Sequence, residues 1–191
     1  MNVSFQLDEV SSLNHKTDST LPLIYESQKR KNKNYIFKPE DVSFYKDKVY
    51  ANVNEITFHS NALYDFSLSK KKLFSLDKSN FLFISQDTPY DMTYVTSLHL
   101  LELLDKKVKI VNDPIGIRNS PEKLLMLKFP EIIPSTIVTR SINEVDRFTK
   151  KFSKSVIKPL YGNGGENIFL LDREDKNFNQ IIESFFCNSK E

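Results

Sequence analysis

The chain has 191 residues, 27 basic against 25 acidic side chains for a net charge of +2, and a single cysteine. That length allows one fair-sized domain or two small ones with a buried core, and the balanced charge argues against a nucleic-acid face, which needs basic side chains gathered in a patch. One cysteine, Cys187, excludes an internal disulfide framework and fits a reducing compartment; no apolar run approaches the ~20 residues that span a bilayer, and MNVSFQLDEV lacks the basic and apolar segments of a signal peptide. The expectation is a soluble cytoplasmic protein with no nucleic-acid or membrane partner.

NVSFQL (2–7) alternates as a first strand. Residues 18–32 read as a helix, with Asp18 to cap it, Pro22 in the first turn and charges gathered at its end. NYIFK (34–38) and KVYANVNEITF (48–58) alternate as strands, the second with Val49, Ala51 and Val53 on one side. SNFLFIS (79–85) is an apolar run of strand length, and residues 89–107 set Tyr94, Val95, Leu98, Leu101 and Leu104 at helical spacing. VKIVND (108–113) is the next strand. The basic runs RKNKN (30–34) and SKKKL (69–73) read as solvated loops. Strands and helices in alternation imply a parallel sheet covered by helices up to about Asn112.

A proline-rich connection follows, NDPIGIRNSPEKL, which also holds Gly116. Asn119 or Ser120 is placed to cap a short helix that has Pro121 in its first turn and ends at Pro130. PSTIVT (134–139) reads as a strand, and SINEVDRFTKKF (141–152) as a helix opened by a Ser141/Glu144 capping box. SVIKPL (155–160) and ENIFLLD (166–172) are strands. The last helix, NFNQIIESFFC (177–187), sets Phe178, Ile181, Ile182, Phe185 and Phe186 on one face, and Cys187 beside that face reads as packing. The sequence ends soon after, so this apolar face is expected to lack its cover. His15, His59 and His99 show no metal-ligand spacing.

Three of the four glycines, Gly162, Gly164 and Gly165, fall within four residues between two strands. In a composition poor in glycine, alanine and arginine, which suggests AT-rich coding, each glycine is expected where only glycine fits. A cluster of this kind can be a plain tight hairpin. Alternatively, its N–H groups can form a nest around phosphate oxygens, with Lys158 close by. The segment lacks the G-K-[ST] ending of a Walker A loop and runs into a strand rather than a helix.

NDPIGIRNSPEKL and IKPLYGNGG together resemble the bacterial type of glutathione synthase, an ATP-grasp ligase. DMTYVTSLHLLE and PSTIVTR resemble it too, in the same order, and the likeness runs from KTDSTLPLIYESQKR to about Leu171. The resemblance implies an α/β fold: a Rossmann-like pre-ATP-grasp domain over residues 1–117, then the first part of an ATP-grasp domain over 118–191. It casts Lys123 and Lys158 as the two ATP-phosphate lysines, and Gly162, Asn163, Gly164 and Gly165 as the phosphate-covering loop. Asp18, Ser19 and Asp87 fall on its substrate side. The reaction implied is ligation of γ-glutamylcysteine to glycine, with ATP forming an acyl phosphate on the acceptor carboxylate; it needs Mg2+ and positioned substrates but no side-chain nucleophile. The resemblance also implies homo-oligomers, an assembly a shortened chain need not share.

Two local departures stand out. Tyr161 replaces an acidic residue, and SQDTPYD (85–91) puts Ser85 where the family has arginine and Thr88 where it has proline. The larger departure is that the family's second ATP-grasp subdomain, with its Mg2+ ligands and substrate arginines, has no counterpart here, so no metal ligand is assigned and the chain alone is expected not to turn over. Three readings stand: a fragment of a glutathione synthase; a short nucleotide-binding product or split-enzyme half without its own catalysis; or a non-catalytic α/β interaction module.

Overall fold

A computed structural model describes residues 1–188 except 88, 89, 162–164 and 166. The chain forms two compact units, Met1–Ser120 and Pro121–Glu191. Among the described residues no helix is long and apolar enough to cross a membrane.

The first unit is built on one curled sheet. In chain order it runs β1 (Asn2–Gln6), α1 (Thr20–Lys29), β2 (Lys33–Phe37), β3 (Val42–Tyr45), β4 (Lys48–Phe58), β5 (Phe66–Leu68), β6 (Lys72–Ser75), β7 (Phe81–Ile84), α2 (Met92–Leu101), β8 (Lys109–Val111) and α3 (Pro114–Asn119). The strand order is β3-β4-β2-β1-β7-β8, with β5 and β6 also on β4. β1 lies between β2 and β7, parallel to both, and β8 is parallel to β7.

β1 alternates because each face meets a different core. Val3, Phe5 and Leu7 face Leu21 and Ile24 of α1. On the opposite face Leu82 and Ile84 of β7 pack with Val49, Ala51, Val53, Leu98 and Leu101. There β1 presents polar groups instead: Ser4, whose Oγ meets Ser79 Oγ at 2.7 Å, and Gln6. Helices on both faces of a largely parallel centre make this a doubly wound α/β unit.

Several expectations need correction. The sheet is mixed, not parallel: β4 runs antiparallel to β2, β3, β5 and β6, because residues 39–75 fold as short local hairpins rather than crossovers. The run 69–73 is only partly a loop: Lys72 and Leu73 lie in β6, with the Lys72 ammonium 5.0 Å from the Tyr35 ring centre, while Lys71 Nζ reaches Asp41 at 2.8 Å. Within 30–34, Lys33 and Asn34 belong to β2, and Asn34 is buried against Ser27, whose Oγ donates to it at 2.6 Å. α2 is shorter than its periodic run because the Asp91 carboxylate caps it, accepting from Tyr94 N at 2.9 Å. The connection holding Gly116 is itself helical, as α3, with Asp113 at its cap.

The second unit comprises α4 (Glu122–Leu125) running into a 3-10 turn (Met126–Lys128), α5 (Ile142–Lys151), β9 (Lys154–Ile157), β10 (Phe169–Asp172) and α6 (Phe178–Asn188). β9 and β10 form an antiparallel pair with Phe169 opposite Ile157 and Leu171 opposite Ser155. Neither Asn119 nor Ser120 caps α4, since Asn119 closes α3 and Pro121 occupies the cap position. Residues 134–139 take no strand partner among the described residues. The Ser141/Glu144 box does not form: the Ser141 carbonyl, not its hydroxyl, accepts from Glu144 N at 3.1 Å, and the Glu144 carboxylate turns to Arg147 at 2.9 Å.

The apolar face of α6 is not left bare. Phe178 and Ile182 are buried with Val145 of α5 and Leu171 of β10, and Ile157, Ile181 and Phe186 pack around them. The stripe found its cover within its own unit because α5 and the strand pair form one face together. Arg173 fastens the assembly, with Nη1 donating to Thr149 Oγ1 at 2.8 Å and to Asp146 Oδ1 at 2.9 Å, and its guanidinium 5.0 Å from the Phe178 ring centre. Cys187 is exposed rather than packed.

Candidate functional site

Two groups of candidate residues are brought together, one in each unit. In the second unit, β9 ends at Ile157 and Lys158 follows it, exposed. The connection to β10 carries the glycines; Gly162, Asn163 and Gly164 lie outside the described residues. Gly165 has φ +79°, and an added Cβ there would meet nothing within 4 Å, so the demand for glycine is one of backbone conformation rather than space. Asn167 follows at φ 55°, again left-handed.

Lys123 projects from the single turn of α4 and its Nζ donates to the Pro159 carbonyl at 2.7 Å. Its pKa lies below the ordinary lysine value, chiefly because burial disfavours the ammonium and further because Lys158 is close by. The two lysines therefore converge at the foot of the glycine segment. Pro159 also lines a cavity of about 590 Å³ with Asn167, Phe169, Asn177, Gln180 and Phe185. Two ammonium groups held near each other are an electrostatic arrangement that a bound anion would relieve, and phosphate oxygens fit it.

In the first unit, Asp18 does the work of a helix cap: its Oδ1 accepts from Thr20 N at 2.9 Å and Leu21 N at 2.7 Å. Ser19 beside it is exposed and makes no side-chain cap bond. Asp87, also exposed, gives its N–H to Asp8 Oδ2 at 2.9 Å. The Asp8 carboxyl is pushed above the ordinary value by burial first, and by the charges of Asp87, Glu40 and Asp18. Asp8 went unremarked in the sequence, as did Gln6, because neither stands out until β7 is paired with β1.

A family model described as the prokaryotic glutathione synthetase N-terminal domain matches residues 1–118, and the ATP-grasp domain model of the same enzyme matches 122–191. The chain belongs to the prokaryotic glutathione synthetase family. Among curated glutathione synthetases it is 38% identical to that of Agrobacterium fabrum over 96% of this chain and 58% of the relative. It is 35% identical to that of Bradyrhizobium diazoefficiens over 100% of this chain and 61% of the relative. Among solved structures, D-alanyl-alanine synthetase A from Vibrio cholerae matches at TM-score 0.49 and 12% identity, over 96% of this chain and 54% of that one. The chain thus spans about 60% of the length of these glutathione synthetases, and its family is one of ATP-grasp ligases. Among its described residues no three His, Cys, Asp or Glu side chains are gathered to hold a metal ion.

Proposed function

We propose that this chain forms the amino-terminal part of an ATP-dependent ligase that joins γ-glutamylcysteine to glycine. Family membership gives the class of reaction. The observation that carries the nucleotide role is the convergence of Lys123 and Lys158 on the connection that bears the glycines, with the Lys123 ammonium fixed at the Pro159 carbonyl.

ATP supplies the phosphoryl group that activates a carboxylate. The chain's own part is to hold phosphate oxygens: Lys158 and Lys123 supply positive charge, and in this reading the glycine-bearing connection supplies N–H donors to the same oxygens. In this reading Mg2+ is held by residues that the relatives carry beyond the matched length. Neither Asp18 nor Ser19 is given a direct chemical role; Asp18 positions the first turn of α1.

The test is equilibrium binding of Mg–ATP to the purified chain, with Lys158→Ala alongside. Binding in the micromolar-to-millimolar range, weakened about tenfold or more by the substitution, is the expected outcome. Equal binding by both proteins, or none by either, removes the support for the phosphate role of this segment.

A further inference from the structure

The end of the β1–β7 pair is short of hydrogen-bond donors. Gln6 is completely buried. Its Nε2 donates to Ser97 Oγ at 3.1 Å and to Gln86 Oε1 at 3.3 Å. Ser97 spends its own hydrogen on the Tyr94 carbonyl at 2.8 Å, so it can only accept from Gln6, which fixes the amide's orientation. Gln6 Oε1 is left buried without a partner. An acceptor in that condition calls for a donor.

Asp8 follows just beyond β1; Leu7 between them still donates to the Phe37 carbonyl at 3.1 Å and packs with Val3 and Phe5, so the chain stays extended and Asp8 leaves on the Gln6 side. The side chains of both reach the end of β7, one through Gln86 and the other through the Asp87 N–H. Asp87, Glu40 and Asp18 add negative charge around Asp8. No compensating cation comes from these elements: residues 2–15 and 79–105 contain neither lysine nor arginine in a chain that carries 27 of them. Lys38, just after β2, is held by Glu40 at 2.7 Å and Glu9 at 3.6 Å.

The position in the fold also matters. The chain leaves β1 toward β2 on one side, while β7 occupies the other side, so the crevice at the carboxyl ends of β1 and β7 is the topological switch point of the sheet. Open α/β sheets bind ligands there. The carboxylates are not gathered closely enough for a metal ion. A primary ammonium, with three N–H groups aimed at separate acceptors, suits them better.

We infer that this crevice, centred on Asp8 with the Gln6 amide behind it, binds a primary ammonium group, and that the group is the α-ammonium of γ-glutamylcysteine. The assignment to that substrate rests on the ligase reading above. The chemistry separates the two amines in that reaction. The amine of glycine must be neutral to attack a carbonyl, so a carboxylate cluster that favours its protonated form would oppose it. The α-ammonium of the γ-glutamyl group takes no part in bond making and can stay charged.

The experiment titrates the purified full chain and its Asp8→Asn variant with γ-glutamylcysteine and with glutarylcysteine, the same molecule lacking the α-ammonium. Asparagine keeps an acceptor for the Asp87 N–H, so the variant is suited to fold. Expected is binding of γ-glutamylcysteine about tenfold or more tighter than of glutarylcysteine, with Asp8→Asn removing the difference and leaving glutarylcysteine unchanged. Equal affinity for the two ligands, or an equal effect of Asp8→Asn on both, overturns the ammonium site while leaving the substrate reading intact. L-2-aminobutyrate serves as a third probe: if it shifts the Asp8 amide resonance and γ-glutamylcysteine does not bind, the substrate reading falls and the ammonium site stands. Binding of none of the three overturns both.

Discussion

The two units are held together in different ways. The first packs both faces of one sheet, with thirteen and nine buried residues in two apolar clusters, so any one side chain is backed by many others. The second gathers four, Val145, Leu171, Phe178 and Ile182, over a two-stranded ladder. On the other face of that ladder Val156 and Leu170, opposite one another, are 61% and 60% exposed. A small cluster of that kind has little redundancy, and the fastening by Arg173 counts for more. What the contrast teaches is that the candidate phosphate groups sit on the less deeply cored unit, where nucleotide binding has more order to contribute.

The largest effect that would break this contrast is expected from Leu171→Ala. Truncating a fully buried leucine costs about 2–5 kcal/mol, much of the stability a small unit has. Hydrogen exchange should then show free exchange in β9, β10 and α5 with β1 and β7 still protected. Joint loss of protection in both units would mean that they fold as one. Leu82→Ala, a cut of the same size at the centre of the larger sheet, is expected to cost a similar amount yet leave protection in β1, because the second cluster remains.

A smaller and opposite effect is expected at Asp8. Its folded pKa is raised above the ordinary 3.8, so the ionised carboxylate favours the unfolded chain. That burden is absent below the unfolded value and grows as pH rises through the folded one. Asp8→Asn should therefore raise the melting temperature by about 1–3 °C at pH 7, with the gain gone by about pH 3. A lower melting temperature at pH 7 would show that Asp8 stabilises the fold and does not burden it.

The smallest effect at neutral pH concerns Tyr94, whose phenol is pushed up to about 12 by burial, helped by Tyr90, Asp8 and Asp87. The neutral phenol's contribution is intact below about pH 10 and is lost as pH rises toward 12. Tyr94→Phe gives up only a 3.4 Å hydrogen bond to the Gln86 carbonyl, about 0.5 kcal/mol. Its unfolding curve should hold between pH 10 and 12 where that of the unmutated chain declines; parallel decline would place the alkaline loss elsewhere.

Much of this architecture could be read in the sequence where the signal was local. The alternation of β1 and β4, the apolar run of β7 and the spacing of Tyr94, Leu98 and Leu101 each reflect burial on a defined face, and each lies where expected. What depended on partners could not be read. β3, β5 and β6 are strands because β4 is long enough to ladder all three, and each, at three or four residues, is too short for its own pattern to be read. The Ser141/Glu144 spacing matched a capping box, yet Glu144 found Arg147 instead. The α6 stripe looked uncovered because the sequence ends soon after it, whereas its partners, Val145 and Leu171, precede it. At the candidate sites the glycine cluster and its lysines were visible as a motif, whereas Asp8 and Gln6 become legible only when β7 is laid beside β1.

The hydrogen bond from Lys123 to the Pro159 carbonyl makes one side chain serve as both charge and tether. α4 is a single turn of four residues with none of them buried, so the lysine ties that turn to the chain leaving β9. Removing the side chain would loosen the scaffold and delete the cation in one stroke. A Lys123→Ala measurement alone would therefore mix two losses, and Lys123→Arg, which keeps the charge while reshaping the tether, is the substitution that separates them.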